Sequence, residues 1–370
     1  MSVSLPAFRR LLRAASVPVL VGAFPALALT VAGPGAPQAS AGHRPAIRAG
    51  SPTATATRLA TAFVRRHEVA APVPGVHTLA PVTTSTSAQA IDTSAEDTVN
   101  SAYWSMFASG LGTPTGWTGS ISGCRPGSAS TDSRSATLKA INFVRRLGGL
   151  ASVRFNTTMN AHAQATALIM AANQQLSHYP TSSWRCWTRT GAATAARSNL
   201  ALAFPDITSA GLVEMYMDDL GSDNRGVGHR RWVMNPFATS MGNGSTGTAN
   251  ALQVVGPTSK SRPNPNYVGW PTRGWFPDTL EPHGRWSLSA GSAKADFRYA
   301  QVHVYHGSQQ LTVRKYRVEN GYARPTIVWQ MPSGFIPSGS YQVKVTGIRH
   351  SGSSKRYSSS YVVRFFTPYH

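Results

Sequence analysis

Two histidine-bearing segments constrain this chain more than any other feature of its sequence. The first reads Ser-His-Tyr-Pro at Ser177–Pro180, and the second reads Gly-His-Arg-Arg-Trp-Val-Met-Asn-Pro at Gly228–Pro236. Between them lie the stretch Ser198-Asn199-Leu200 and an apolar segment that ends in Asp219. This order of parts predicts one polar cavity to which both histidines contribute.

Apolar residues at three-and-four spacing predict three helices around these segments. The predicted helices run from Ser135 to Leu147, from Thr158 to Leu176 and from Thr208 to Asp219. In the third helix, Tyr216 and Asp219 share one face, and Asp218 lies on another. We therefore expect Asp219 to point inward and Asp218 to face solvent.

The order of these parts over roughly residues 131–256 resembles the CAP superfamily, which comprises the cysteine-rich secretory, antigen 5 and pathogenesis-related 1 proteins, in its bacterial secreted form. In that family a helix ending in Ser-His is followed by a Glu-Asn segment, a helix ending in an acid, and Gly-His. The matching positions here are His178, Ser198, Asn199, Asp219 and His229. The resemblance implies an α-β-α sandwich in which these five residues line a cavity. Ser198 stands where the family has Glu, so one carboxylate is lost.

The two histidines are candidate ligands for a divalent metal such as zinc. Neutral imidazole is a common metal ligand, and the resemblance implies that His178 and His229 lie close together. Asp219 would then be a third ligand or a general base, since a catalytic zinc normally has three protein ligands. The alternative is that both histidines form hydrogen bonds and fill a polar cleft.

The N-terminal residues predict export. Three arginines precede an apolar run from Ala14 to Ala32, and Ala39-Ser40-Ala41 suits signal peptidase. Residues 1–41 are therefore predicted to be a signal peptide, with an uncleaved membrane anchor as the alternative. After removal of the signal, no transmembrane span is expected. Residues 42–97 are rich in Ala, Thr and Pro and predict a disordered linker.

The chain has two cysteines, Cys124 and Cys186. An even pair in an exported protein usually forms a disulfide, although two free buried thiols remain the alternative. The bond would close a loop of about 60 residues and stabilise the fold by about 2–5 kcal/mol.

The formal net charge of +21 is concentrated in the last third of the chain. For an exported protein, we expect an anionic cell-wall polymer or lipid as the partner and no nucleic acid. A second interpretation is that the arginines only keep the protein soluble.

The residues after Val255 change to proline-rich loops followed by alternating strands, which predicts an all-β, immunoglobulin-like sandwich over 262–370 after a CAP domain over 98–256. The fold class expected for the whole chain is thus α+β. Four tryptophans of this region are candidate sugar platforms or core residues. For Trp270 and Trp275, which lie among Pro and Gly, exposure is the alternative to burial. The Gly-x-Gly-x-x-Gly at 242–247 lacks a following helix, which favours a hairpin loop over a dinucleotide site.

These patterns together predict a secreted CAP-domain protein that is a non-catalytic extracellular ligand-binding or cell-envelope interaction protein. The alternative is a metal-dependent hydrolase of peptide or wall material, with His178 and His229 as ligands. The acid missing at Ser198 favours the first reading.

Overall fold

The computed structural model describes residues 67–70 and 90–370, all within one compact unit. Six α-helices are described: α1 (Glu96–Met106), α2 (Thr131–Leu147), α3 (Thr157–Asn173), α4 (Arg189–Ala195), α5 (Gly211–Asp218) and α6 (Gly228–Val233). Side chains of the preceding residues cap three of them. Ser130 accepts a hydrogen bond from the Ser133 amide at the start of α2, and Asn156 and Thr188 do the same for α3 and α4.

The first sheet lies in the part of the chain that contains these helices. Its strands are β1 (His67–Ala70), β2 (Arg154–Phe155), β3 (Ser198–Ala203), β4 (Ser240–Ser245) and β5 (Ala249–Gln253). Their order is β1-β3-β5-β4-β2, antiparallel except for the parallel pair of β2 and β4. The linker predicted for residues 42–97 therefore contains one short edge strand, β1.

Both faces of this sheet are covered, because the side chains of β3 alternate between two apolar clusters. Leu200 and Leu202 pack with the alanine-rich α3. Ala201 and Ala203 pack on the other side with α2 and α5. The arrangement is the α-β-α sandwich that the sequence resemblance implied, and the expected α+β class is confirmed.

The second part of the chain, called here the β region, contains the strands β6 (Tyr267–Trp270), β7 (Gly274–Pro277), β8 (Arg285–Ala290), β9 (Ala295–Asp296), β10 (Gln301–His306), β11 (Gln309–Leu311), β12 (Arg314–Lys315), β13 (Thr326–Gln330), β14 (Ser340–His350) and β15 (Tyr357–Phe366). They form a six-stranded sheet and a four-stranded sheet. The aromatic ring of Trp286 in the smaller sheet packs against Tyr341 and Phe365 in the larger one, so the two sheets face each other across an aromatic core.

The β region shares its core with the α-β-α sandwich. One apolar cluster contains Phe143 and Tyr216 of the sandwich together with Phe276 and Trp286 of the β region. Helix α1 adds polar contacts, since the side chain of Asn100 donates to the Tyr369 carbonyl at 2.7 Å and accepts from its amide at 3.1 Å. The two parts are therefore packed against each other through both apolar and polar contacts.

The predicted disulfide between Cys124 and Cys186 is confirmed, with 5.0 Å between the two Cα atoms. It joins the loop before α2 to the loop after α3. Ile121 and Trp184, one in each of these loops, pack on the α3 side of the sheet.

One expectation from local sequence is confirmed in part, and one open alternative is decided. The motif at 242–247 lies in the hairpin of β4 and β5, with Gly247 in its loop but Gly242 and Gly244 in strand β4. Both strand positions require glycine, because the backbone of α3 passes so close that a Cβ on either residue would overlap Met159 or Gln164. Trp270 is only 2% exposed, because its ring packs edge-on against Phe276 at 4.9 Å. It offers no platform for a sugar.

The predicted signal peptide over 1–41 lies outside the described residues, as does most of the predicted linker. Within 67–70 and 90–370, no helix has both the length and the apolar character that crossing a bilayer requires.

Candidate functional site

The turn between α5 and α6 positions the residues at the centre of the site. Helix α5 ends at Asp218, and the next residue, Asp219, adopts the left-handed conformation with φ of 54°. Helix α6 begins after Val227, which is also left-handed, with φ of 47°. These two reversals bring the start of α6 back toward the end of α5. His229 and Asp219 therefore meet although ten positions separate them.

His229 and Asp219 form a buried hydrogen-bonded pair. Nδ1 of His229 lies 2.5 Å from Oδ1 of Asp219, and both side chains are 0% exposed. The other carboxylate oxygen accepts a hydrogen bond from the backbone amide of Arg230 at 3.0 Å. Both oxygens of Asp219 are thus engaged by α6, which fixes the orientation of the imidazole.

Tyr216 and Asn199 complete the surroundings of His229. The Tyr216 ring stacks on the imidazole at 5.5 Å with an interplanar angle of 11°. Its hydroxyl donates to Asn250 Oδ1 at 2.8 Å, and burial raises the pKa of this hydroxyl well above 10. The amide of Asn199 donates to the His229 carbonyl at 3.2 Å. The Tyr216 hydroxyl therefore remains protonated. His229 is fixed by Asp219, by the Tyr216 ring and by Asn199.

The other two candidate residues bond to the last turn of α4. Nδ1 of His178 lies 2.7 Å from the Ala195 carbonyl oxygen, and the Ser198 hydroxyl donates to the Thr194 carbonyl at 2.8 Å. The hydrogen bonds thus divide the five predicted residues into two groups. One group joins His229, Asp219 and Asn199, and the other joins His178 and Ser198 to α4.

Residues 138–256, which hold all five positions, match the family model described as CAP, the cysteine-rich secretory protein family. The chain contains a CAP domain. No curated protein shows a significant match to the chain. Among solved structures, the copper-resistance protein PcoC from Escherichia coli, titled as methionine rich, matches with 13% sequence identity over 26% of this chain and 93% of its own, at a TM-score of 0.21. This score is too low for us to infer a shared fold or function.

The donor atoms of the CAP domain do not fit a catalytic metal with three protein ligands. Both oxygens of Asp219 are engaged by His229 and Arg230, so this carboxylate orients the imidazole instead of offering itself to a cation. Nε2 of His229 is buried and has no hydrogen-bond partner among the described residues. In the same part of the chain, no group of three or more His, Cys, Asp or Glu side chains is suited to hold a metal ion. We derive no metal-dependent step from this site.

Two arginines next to His229 connect the CAP domain to the β region. Nη1 of Arg230 donates to the Arg285 carbonyl at 2.9 Å and to the Ser287 hydroxyl at 3.0 Å, both on β8. Arg231 donates to three carbonyls of the loop between β12 and β13, including that of Tyr322 at 2.8 Å. The sequence signal for these contacts is the Arg-Arg pair in the second histidine segment, which sequence reasoning left without a structural role.

Acidic residues of α5 face a histidine of the β region. Asp218 lies 3.4 Å from Nε2 of His283, and this contact raises the pKa of the imidazole. Burial, reinforced by the neighbouring Asp218 carboxylate, raises the pKa of Glu214 from 4.5 to about 8. Burial also raises the pKa of Glu281. The expectation that Asp218 faces solvent is wrong: its exposure is 9%, because the β region covers this face of α5.

Proposed function

We propose that this protein is exported and acts outside the cell as a non-catalytic binding protein attached to an anionic cell envelope. The observation that carries the proposal is the complete burial of His229 and Asp219. A general acid or base must come within hydrogen-bond distance of its substrate. A pair with no exposed surface, stacked under Tyr216, is suited to holding α5 and α6 together rather than to meeting a substrate.

Export is supported by the disulfide and by the family. The bond between Cys124 and Cys186 is typical of an oxidising compartment. CAP proteins are typically secreted. The predicted signal peptide over residues 1–41 would direct the chain into the export pathway.

An anionic partner is supported by the distribution of charge. The chain has 35 Lys and Arg residues against 14 Asp and Glu residues. Most of the excess lies in the β region and in the loops that lead to it. A surface of this charge attracts wall polymers and lipid headgroups that carry negative charge, and salt weakens the attraction.

The test is to mix the purified protein with isolated cell envelopes and to measure both sedimentation with the envelopes and release of soluble fragments. We expect co-sedimentation that falls as NaCl is raised, that EDTA does not change, and that releases no fragments. A His178→Asn variant, changed at the less buried histidine, is expected to sediment as the wild type does. Fragment release that stops both in this variant and in EDTA would show that the protein is a metal-dependent hydrolase.

A further inference from the structure

A wide groove lies between the CAP domain and the β region, on the side of Arg231. Its volume is about 1180 Å³. Its wall combines Arg231, Asn235 and Phe237 with residues of the loops around β9, β13 and the turn between β14 and β15. Both parts of the molecule therefore contribute to it, and their packing creates it.

The groove is strongly cationic. Asp296 supplies the single carboxylate among its lining residues. Seven other lining residues are lysine or arginine: Arg231, Lys260, Lys294, Arg298, Arg324, Arg349 and Arg356. Asp296 is already paired with Arg298 at 2.8 Å. Arg349 lies next to Asp296 in the strand register, and Arg231 already donates to three carbonyls. The other lining cations form no salt bridge among the described residues, so their charge is available to a bound anion.

Three buried nitrogen atoms of residues in this wall have no hydrogen-bond partner among the described residues. They are Nε1 of Trp232, Nε of Arg349 and Nε2 of His350. An unpaired buried donor costs free energy, which an incoming acceptor would recover. A guanidinium forms its strongest hydrogen bonds with an oxyanion, because the bonds are assisted by charge.

The aromatic rings of the groove are largely occupied by its own residues. Arg231 covers a face of Tyr322 at 3.9 Å, and Arg324 covers a face of Phe237 at 5.1 Å. Trp232 is buried. Single-stranded nucleic acids gain much of their affinity by stacking bases on exposed aromatic rings. The groove therefore favours a ligand that is recognised by its charges and not by flat rings.

We infer that this groove binds a linear polymer of phosphodiesters, whose repeated negative charges lie along the cations from Lys260 to Arg356. The inference deepens the proposed attachment to an anionic envelope and rests on it. Several charges along one groove bind a polymer more tightly than one free anion, because each contact releases condensed counterions.

The test uses the full chain and a short poly(glycerol phosphate) as the probe, with the dissociation constant measured by calorimetry at low salt. The variant Lys260→Gln, Lys294→Gln, Arg356→Gln changes three exposed groove residues. The matched control Lys139→Gln, Arg189→Gln, Arg364→Gln removes the same charge at exposed positions outside the groove. We expect the groove variant to bind about tenfold or more weakly and the control to change about twofold or less.

Equal weakening in both variants would overturn the groove as the site while leaving anionic attachment intact. Tighter binding of polyglutamate than of poly(glycerol phosphate) would overturn the assignment to phosphodiesters. Tighter binding of a single-stranded oligothymidylate, a phosphodiester polymer that also carries flat bases, would overturn recognition by charge alone. Inorganic phosphate that binds as tightly as the polymer would reduce the site to a single-anion pocket. If the wild type binds no anionic probe and no isolated envelope, the proposed function fails with the groove.

Discussion

Asp218 of the CAP domain and His283 of the β region form an ion pair whose closest atoms, Oδ2 and Nε2, lie 3.4 Å apart. The pair lies across the junction between the two parts of the molecule. Glu214, one turn earlier on α5, and Glu281, beside His283, complete a group of three carboxylates around one imidazole. The protonation of this group therefore affects how well the two parts pack.

This group predicts that stability falls as the pH rises. A carboxyl whose pKa is raised from 4.5 to about 8 in the folded protein stabilises the fold fully below pH 4.5, and that stabilisation is lost as the pH passes through 8. The raised pKa of His283 acts in the same direction. We expect Glu214→Gln to flatten the decline of the melting temperature between pH 5 and pH 9, by calorimetry. Asp132→Asn, at an exposed position of α2, should leave the decline as in the wild type.

The buried Asp219–His229 pair predicts a loss of stability in Asp219→Asn. Asparagine tolerates the left-handed backbone at this position. It has one carbonyl oxygen in place of the two charged oxygens of Asp219, so it cannot accept hydrogen bonds from both His229 and Arg230 as the carboxylate does. We expect the free energy of unfolding to fall by about 1–3 kcal/mol in denaturant titrations. Asp223→Asn, at an exposed loop residue nearby, serves as the control. Equal stability of the two variants would mean that the pair contributes little.

Arg231 predicts a local effect at the junction. Lysine lacks the planar fork that donates to Glu319, Tyr322 and Arg324, so Arg231→Lys leaves carbonyls of that loop without donors. We expect a loss of about 1–3 kcal/mol and faster hydrogen exchange at residues 319–324. Arg225→Lys, at an exposed position on the preceding loop, should change neither measurement. Unchanged exchange in the Arg231 variant would contradict the role given to this side chain.

Two glycines of one segment predict opposite outcomes. A Cβ at Gly244 would overlap the backbone of α3 at Gln164, whereas a Cβ at Gly247 meets no atom within 4 Å. Gly244→Ala is expected to destabilise the protein by about 1–3 kcal/mol or more in thermal unfolding, because helix α3 must move away from the sheet. Gly247→Ala should stay close to the wild type. Similar melting temperatures for both variants would contradict the close packing of α3 on β4.

The donor set around His229 predicts the outcome of a zinc titration. Calorimetry on the wild type and on a His178→Ala, His229→Ala double variant is expected to give similar, non-stoichiometric heats, because Asp219 is committed to His229 and Arg230. Circular dichroism before the titration shows whether the double variant is folded, and His178→Ala alone replaces it if not. One zinc ion per wild-type chain, lost in the variant, would establish a metal site.

The helices of the α-β-α sandwich and its cysteine pair were predictable from strong local signals, and the family resemblance implied how these elements are arranged. The surroundings of the site were less predictable from the sequence. The helical pattern of α5 distinguishes an inner face from an outer one, but it cannot show that the β region covers the outer face at Asp218. The glycines of β4 have the composition of a turn, and only the approach of α3 explains them. Trp270 likewise lies in a sequence rich in Pro and Gly and is buried by residues distant in the chain.

The disulfide lies on one side of the first sheet, where Ile121 and Trp184 pack beside α3, and the β region lies on the other. The two sides of the CAP domain are thus secured by different chemistry: a covalent bond on one, arginine-to-carbonyl contacts and an apolar core on the other. We therefore expect a reducing agent to act first on the α3 side and alkaline pH to act first on the junction with the β region. In the described part of the chain, thiols and protons would thus weaken different sides of the CAP domain.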